Sequence, residues 1–192
     1  VALLVVTGMT SGLDLAAEQA ASSHRSGLFL QAADLATTLG TAPFLVGAAI
    51  LAWLLVARVG RGSEAYLPLF PLGVEALANP AIKAVFHRHR PTMEPWPPGL
   101  FGVDQYSFPS GHSMSSMALY SLLAFWAWSY WPGRGRVPVT VLLALIPVAI
   151  GLSRVALGDH WLSDVVGGWL AGVVVMALVV AVWVRVRGRR AS

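Results

Sequence analysis

The sequence predicts an all-α fold: a polytopic membrane helix bundle of about six transmembrane helices, forming a single domain over residues 1–192. Three observations carry this. Of the residues, 56% are hydrophobic and only 11% charged, where a soluble domain averages about 25% charged. Mean hydropathy is +0.67. Apolar runs of about 20 residues, the length needed to cross a hydrocarbon core, recur along the whole chain.

The first run, Val1–Leu15, is short and begins without methionine. It reads as a first span entered partway; a cleavable signal peptide is the other reading, but no basic segment precedes it. Five fuller runs follow: Leu35–Ala57, Tyr66–Phe86, Ser113–Trp131, Val137–Leu157 and Leu162–Val184. Orientation comes from the arginines. Arg58 and Arg61, Arg134 and Arg136, and the final VRVRGRR all fall in one set of connections. The positive-inside rule places these in the cytoplasm, which leaves 14–34, 87–109 and 158–161 outside. Tryptophans near the predicted span ends read as interfacial anchors. Pro95, Pro97 and Pro98, with Gly99 and Gly102, make the 87–109 loop irregular, and Asp104, Gln105 and Tyr106 read as ordinary loop residues. Cysteine is absent, which excludes disulfides and thiolate chemistry. The net charge of +4 comes with no basic face or nucleic-acid motif, so nucleic acid is not an expected partner.

Three polar clusters interrupt this apolar chain on the predicted outer side. The first is KAVFHRHRP. Lys83, the only lysine, and Arg90 are seven residues apart, about 10 Å along one helix face, and Pro91 should end the helix at Arg90. Two cations there suit an anion; snorkelling to headgroups is the competing reading, and the one expected for Arg88. Glu75 and Asn79 share the face of Lys83, with structural pairing expected for Glu75. The second cluster is FPSGHSMSSM. Ser110 is a candidate N-cap, Gly111 permits close approach to a ligand, and His112 stands in the first turn of a helix whose free amides attract anions. Alone, this reads rather as a capped helix with an incidental histidine. The third is GLSRVALGDHWLSDVVGG. Arg154 ends one span, and His160 and Asp164 are four residues apart, so they meet on a helical face. A carboxylate orienting an imidazole makes a nucleophile; a stabilising His–Asp pair is the other reading.

Together the clusters place Lys83, Arg90 and Arg154 on one membrane face with two histidines. Three cations can hold a phosphate dianion without a metal, and no metal or other cofactor is implied.

The blocks Lys83-x6-Arg90-Pro91, Pro109-Ser110-Gly111-His112 and Ser153-Arg154-x5-His160-x3-Asp164 resemble the three-part signature of the type 2 phosphatidic acid phosphatase superfamily, which includes lipid phosphate phosphatases and vanadium haloperoxidases. All three occur in order over residues 83–164. The resemblance implies an acid phosphatase/vanadium haloperoxidase-like core and an integral membrane phosphatase in a bacterial plasma membrane, with its site facing the extracytoplasmic side. It implies His160 as nucleophile forming a phosphohistidine, Asp164 as its orienter and His112 as general acid–base. Lys83, Arg90, Ser110, Gly111 and Arg154 would hold the phosphate. The expected partners are membrane lipids and a lipid phosphate substrate, undecaprenyl diphosphate first, with phosphatidic acid or phosphatidylglycerophosphate as alternatives. A vanadate-dependent haloperoxidase and a non-catalytic phosphate-binding membrane protein are the readings from other classes.

Overall fold

The computed structural model describes residues 1–58, 66–92, 99 and 101–191, with side chains as far as residue 185. Arg61, Pro95, Trp96, Pro97, Pro98 and the side chains of the last arginines lie outside the described residues.

The described chain contains eight α-helices and no strand: α1 (Ala2–Val6), α2 (Ser11–Ser23), α3 (Gly27–Thr38), α4 (Ala42–Arg58), α5 (Phe70–Phe86), α6 (Gly111–Tyr130), α7 (Arg136–Ala156) and α8 (Leu162–Ala191). A 3-10 turn at Leu67–Leu69 leads into α5. Among the described residues, three helices are long and apolar enough to cross a membrane: 67–86, 136–156 and 162–185. The pair α3 and α4 makes a fourth candidate, bent by 48° at its break. The six spans expected from the sequence are therefore not all matched by apolar helices of crossing length.

Two of the differences have clear causes. Val1–Leu15 is not one helix, because a turn at Thr7–Thr10 divides it into α1 and the start of α2. The run Leu35–Ala57 is broken near Gly40. A Cβ there would stand 2.6 Å from Ile150 Cγ2 and 3.1 Å from His112 Cδ2, so only glycine lets the chain turn against the histidine. The helix α6 falls short on hydropathy for another reason. It carries Ser113, Ser115, Ser116 and Ser121, yet it is enclosed by its neighbours, with Met114, Ala118, Leu119, Leu122 and Trp126 buried. A helix shielded by other helices need not be apolar all round.

Helix α6 is the centre of the bundle, packing most extensively against α7 and α8. Gly168 and Gly172 of α8 make that approach possible. A Cβ at Gly168 would lie 2.7 Å from the Ser110 carbonyl oxygen, and one at Gly172 2.5 Å from that of Met114. Small residues four apart are the usual device for close helix contact in membranes. Gly172→Val should therefore push α8 off α6 and cost roughly 1–3 kcal/mol. Thermal unfolding in detergent checks this; an unchanged midpoint contradicts the packing. On the outside, Leu142, Leu145, Leu170, Val174 and Leu178 are exposed, as lipid-facing positions should be. Several tryptophans depart from the expected anchoring role: Trp126 is buried, Trp161 Nε1 donates to the His89 carbonyl at 2.9 Å, and Trp169 Nε1 to that of Pro147 at 3.0 Å.

Candidate active site

The start of α4, the end of α5, the start of α6, the end of α7 and the turn before α8 converge on a cavity of about 470 Å³. Lys83, Arg90, Gly111, His112, Arg154 and His160 all line it. The three sequence blocks thus meet at one end of the bundle. Arg58, Arg134 and Arg136 stand at the far ends of the same helices.

Each cation reaches the cavity by a different route. Lys83 projects from the last turn of α5, buried, with Nζ 3.4 Å from Asp104 Oδ1. Arg90 is not on that helix: α5 stops at Phe86, and His87 leaves it in the left-handed conformation with φ 47. The expected shared helix face is replaced by a fold-back of the chain, fixed when Ser107 N–H donates to the Arg88 carbonyl at 2.7 Å. Arg90 then donates from Nη2 to the Asp104 carbonyl at 2.7 Å and from Nη1 to that of Asp159 at 2.8 Å. Burial is the main cause that lowers its pKa to about 10, which leaves it a cation at neutral pH. Arg154, in the last turn of α7, pairs with Asp159 at 2.5 Å and donates to Thr37 Oγ1 at 2.6 Å.

Ser110 caps α6 as expected, its Oγ accepting from Ser113 N–H at 3.4 Å. It is fully buried and, unlike Gly111 and His112, does not line the cavity where it was expected to hold phosphate. Its hydroxyl also accepts from Ser113 Oγ at 3.0 Å.

His160 precedes α8, so it and Asp164 do not share a helix face as predicted. They nevertheless meet, with Nδ1 3.6 Å from Asp164 Oδ2, longer than a hydrogen bond. On the other side of the ring, Nε2 is 3.1 Å from Arg90 Nη1. A guanidinium only donates, so Nε2 accepts there and carries its lone pair on the cavity side. Burial is the largest cause pushing His160 down to about 4; the charges of Arg90 and Arg154 add to it, and Asp164 opposes it. The ring is neutral at physiological pH, as an attacking imidazole has to be.

Several site residues escaped the sequence reading. Arg88 does not snorkel to headgroups: it binds Asp164 Oδ1 at 2.5 Å and Asp14 Oδ2 at 2.7 Å. Asp104 lines the cavity rather than serving as ordinary loop. Glu75, expected to be structurally paired, lines it too; among the described residues it makes no hydrogen bond or ion pair. Its neighbour Asn79 donates to the Pro109 carbonyl at 3.3 Å. Asp14 and Thr37 lie 150 and 117 residues before the groups they serve, Asp164 and Arg154. No local pattern marks such partners.

Comparison with known proteins agrees with this geometry. The pattern of the PAP2 superfamily matches residues 65–188. Phosphatidylglycerophosphatase B of Bacillus subtilis (strain 168) is 32% identical over 152 residues, covering 74% of this chain and 70% of that protein. A lipid A 4'-phosphatase of Rhizobium leguminosarum is 39% identical over 79 residues, 41% of this chain and 32% of its own length. Among solved structures, the transmembrane PAP2 type phosphatidylglycerolphosphate phosphatase from Bacillus subtilis superposes with a TM-score of 0.80 at 27% identity, over 92% of this chain and 87% of that one. Aquifex aeolicus LpxE shares the fold, with a TM-score of 0.67 at 20% identity over 88% of this chain and 95% of its own.

Proposed function

The chain belongs to the PAP2 superfamily and is a membrane lipid phosphatase; from that premise we propose that it removes the terminal phosphate of a glycerolipid, phosphatidylglycerophosphate foremost, at the extracytoplasmic face. The single observation that carries the chemistry is the convergence of Lys83, Arg90, Arg154, His112 and His160 on one cavity.

In this reading the three cations and the Gly111 amide receive the phosphate oxygens. Fixed donors of this kind stabilise the charge spread over the equatorial oxygens during transfer. His160 Nε2 attacks phosphorus, and the bond to the lipid oxygen breaks. His112, which the charge of the bound phosphate dianion helps to protonate, gives that proton to the leaving oxygen, then takes one from the water that cleaves the phosphohistidine. As the imidazole gains positive charge, its Nδ1–H closes on the fixed Asp164 carboxylate, which holds it.

Two observations favour a glycerolipid over undecaprenyl diphosphate. The curated relative that aligns over 74% of this chain carries phosphatidylglycerophosphate in its name. Glu75 and Asn79 add polar groups to the cavity lining, and the headgroup glycerol of phosphatidylglycerophosphate keeps one free hydroxyl to meet them, whereas a prenyl chain offers none. Charge supports the proposed side of action. Arg58, Arg134 and Arg136 stand at the opposite end from the cavity, which the positive-inside rule assigns to the cytoplasm.

The test is a panel of lipid phosphates in mixed micelles with purified protein, run with EDTA throughout. The expected kcat/KM for phosphatidylglycerophosphate exceeds that for undecaprenyl diphosphate by about tenfold or more, and chelation leaves the rate unchanged. A preference for the prenyl diphosphate overturns the substrate assignment, and a strict divalent-metal requirement overturns the three-cation mechanism.

A further inference from the structure

We infer that Asp14 and Arg88 are positioning residues for the His160–Asp164 pair, with the N-terminal helix α2 holding the orienting carboxylate in place through a shared guanidinium. The inference rests on the phosphatase reading above and goes beyond it, since Asp14 lies outside the residues that match the family pattern.

The geometry is a closed ladder of opposite charges. Arg88 Nη1 donates to Asp164 Oδ1 and, at 2.7 Å, to Ser163 Oγ. Its other nitrogen, Nη2, donates to Asp14 Oδ2 at 2.7 Å. Asp14 is 2% exposed, and both its oxygens are used. Oδ1 accepts from the Ser163 amide at 2.8 Å, and Oδ2 also accepts from Ser163 Oγ at 2.7 Å. Burial alone would raise the Asp14 pKa, but hydrogen bonds from the Ser163 amide, Arg88 and the Ser163 hydroxyl hold its carboxyl below the usual carboxylate range. The remaining oxygen of Asp164, Oδ2, accepts from Trp161 N–H at 2.9 Å and is the one that faces His160. Asp164 is thus pinned on both oxygens, and its freedom to tilt away from the imidazole is removed.

Charge explains why two carboxylates share one guanidinium. With Asp164 as its sole partner, Arg88 would neutralise the charge that His160 needs when it becomes positively charged. Asp14 takes up half of the fork and leaves Asp164 effectively anionic. Neither Asp14 nor Arg88 lines the cavity, so neither touches substrate, and their effect has to pass through Asp164.

Asp14→Asn separates this role from simple helix capping. The amide oxygen still accepts from Ser163 N–H at the start of α8, while the charge is gone. We expect kcat to fall about 10- to 100-fold, by analogy with the loss seen when a group that orients a metal-bound histidine is removed. KM and the inhibition constant for inorganic phosphate should stay within about twofold of wild type on the same grounds, while the thermal midpoint falls because the buried Arg88 loses one of its two ionic partners. Should Asp14→Asn fail to fold, Arg88→Lys carries the same test, because one ammonium cannot bridge two carboxylates as a fork does. An unchanged kcat overturns the inference. So does a fall in which kcat, KM and phosphate inhibition deteriorate together, which marks a structural role. A wild-type protein without lipid phosphatase turnover overturns the underlying reading and this inference with it, whereas active wild type with an equally active variant overturns only the inference.

Discussion

In a His160→Ala variant, hydrolysis of the lipid phosphate is expected to fall by about 10⁴-fold or more, while inorganic phosphate still inhibits whatever remains. Loss of a nucleophile has effects of this size because no other group forms the covalent bond. Binding survives because Lys83, Arg90 and Arg154 hold their places through Asp104, Asp159 and Thr37 rather than through the histidine. The same histidine sets the acid limit. With its pKa lowered from 6.5 to about 4, chiefly by burial, the free enzyme keeps a neutral, attacking imidazole down to about that pH. Protonation below it removes the lone pair. The acid limb of kcat/KM should therefore lie near 4, and a limb at the ordinary histidine value contradicts the buried, cation-flanked ring.

The second large effect is expected for Arg90→Ala: a fall in kcat/KM of about 10²–10³, the loss measured when a preorganised transition-state donor is deleted. Arg90 earns this rank by its two roles. It lines the cavity, and its Nη1 stands 3.1 Å from His160 Nε2, beside the point where the phosphorus bond forms. It also ties the loop at Asp104 to the turn at Asp159, so its removal loosens both walls. Arg90→Lys should recover little, since one ammonium cannot serve two carbonyls and a phosphate together. Steady-state kinetics on both variants decides this; near-normal turnover in Arg90→Lys speaks for a mere point charge at this position.

The contrast between sequence and structure follows the range of the interactions. The bundle core was legible because periodicity and length are local: α6, α7 and α8 begin within two residues of the predicted Ser113, Val137 and Leu162. Short polar patterns pick out Lys83, Arg90, Gly111, His112, Arg154 and His160, which do line one cavity, although the helix faces expected for Lys83 with Arg90 and for His160 with Asp164 do not form. What escaped depends on distant partners. Arg88 reads as a surface cation until Asp14 and Asp164 close around it. Asp104 looks like an ordinary loop residue until the chain folds back at His87 and brings it to Lys83. The helix break at Gly40 is invisible without Ile150 and His112, which a side chain there would strike. Hydropathy misjudges α6 in the opposite direction, since its serines are covered by other helices rather than by lipid.

The central claim is that His160 carries the phosphoryl group during turnover. It is tested most directly by rapid alkaline quenching of the enzyme during hydrolysis of a phosphate ester with a good leaving group, followed by mass spectrometry of its peptides. A His112→Ala variant helps here, because such an ester needs little acid assistance in forming the intermediate, whereas water attack still needs the base. The expected result is an acid-labile, alkali-stable phosphate on His160 that accumulates in the variant. Phosphate on another residue, or turnover with no phosphorylated peptide at any time, contradicts the account.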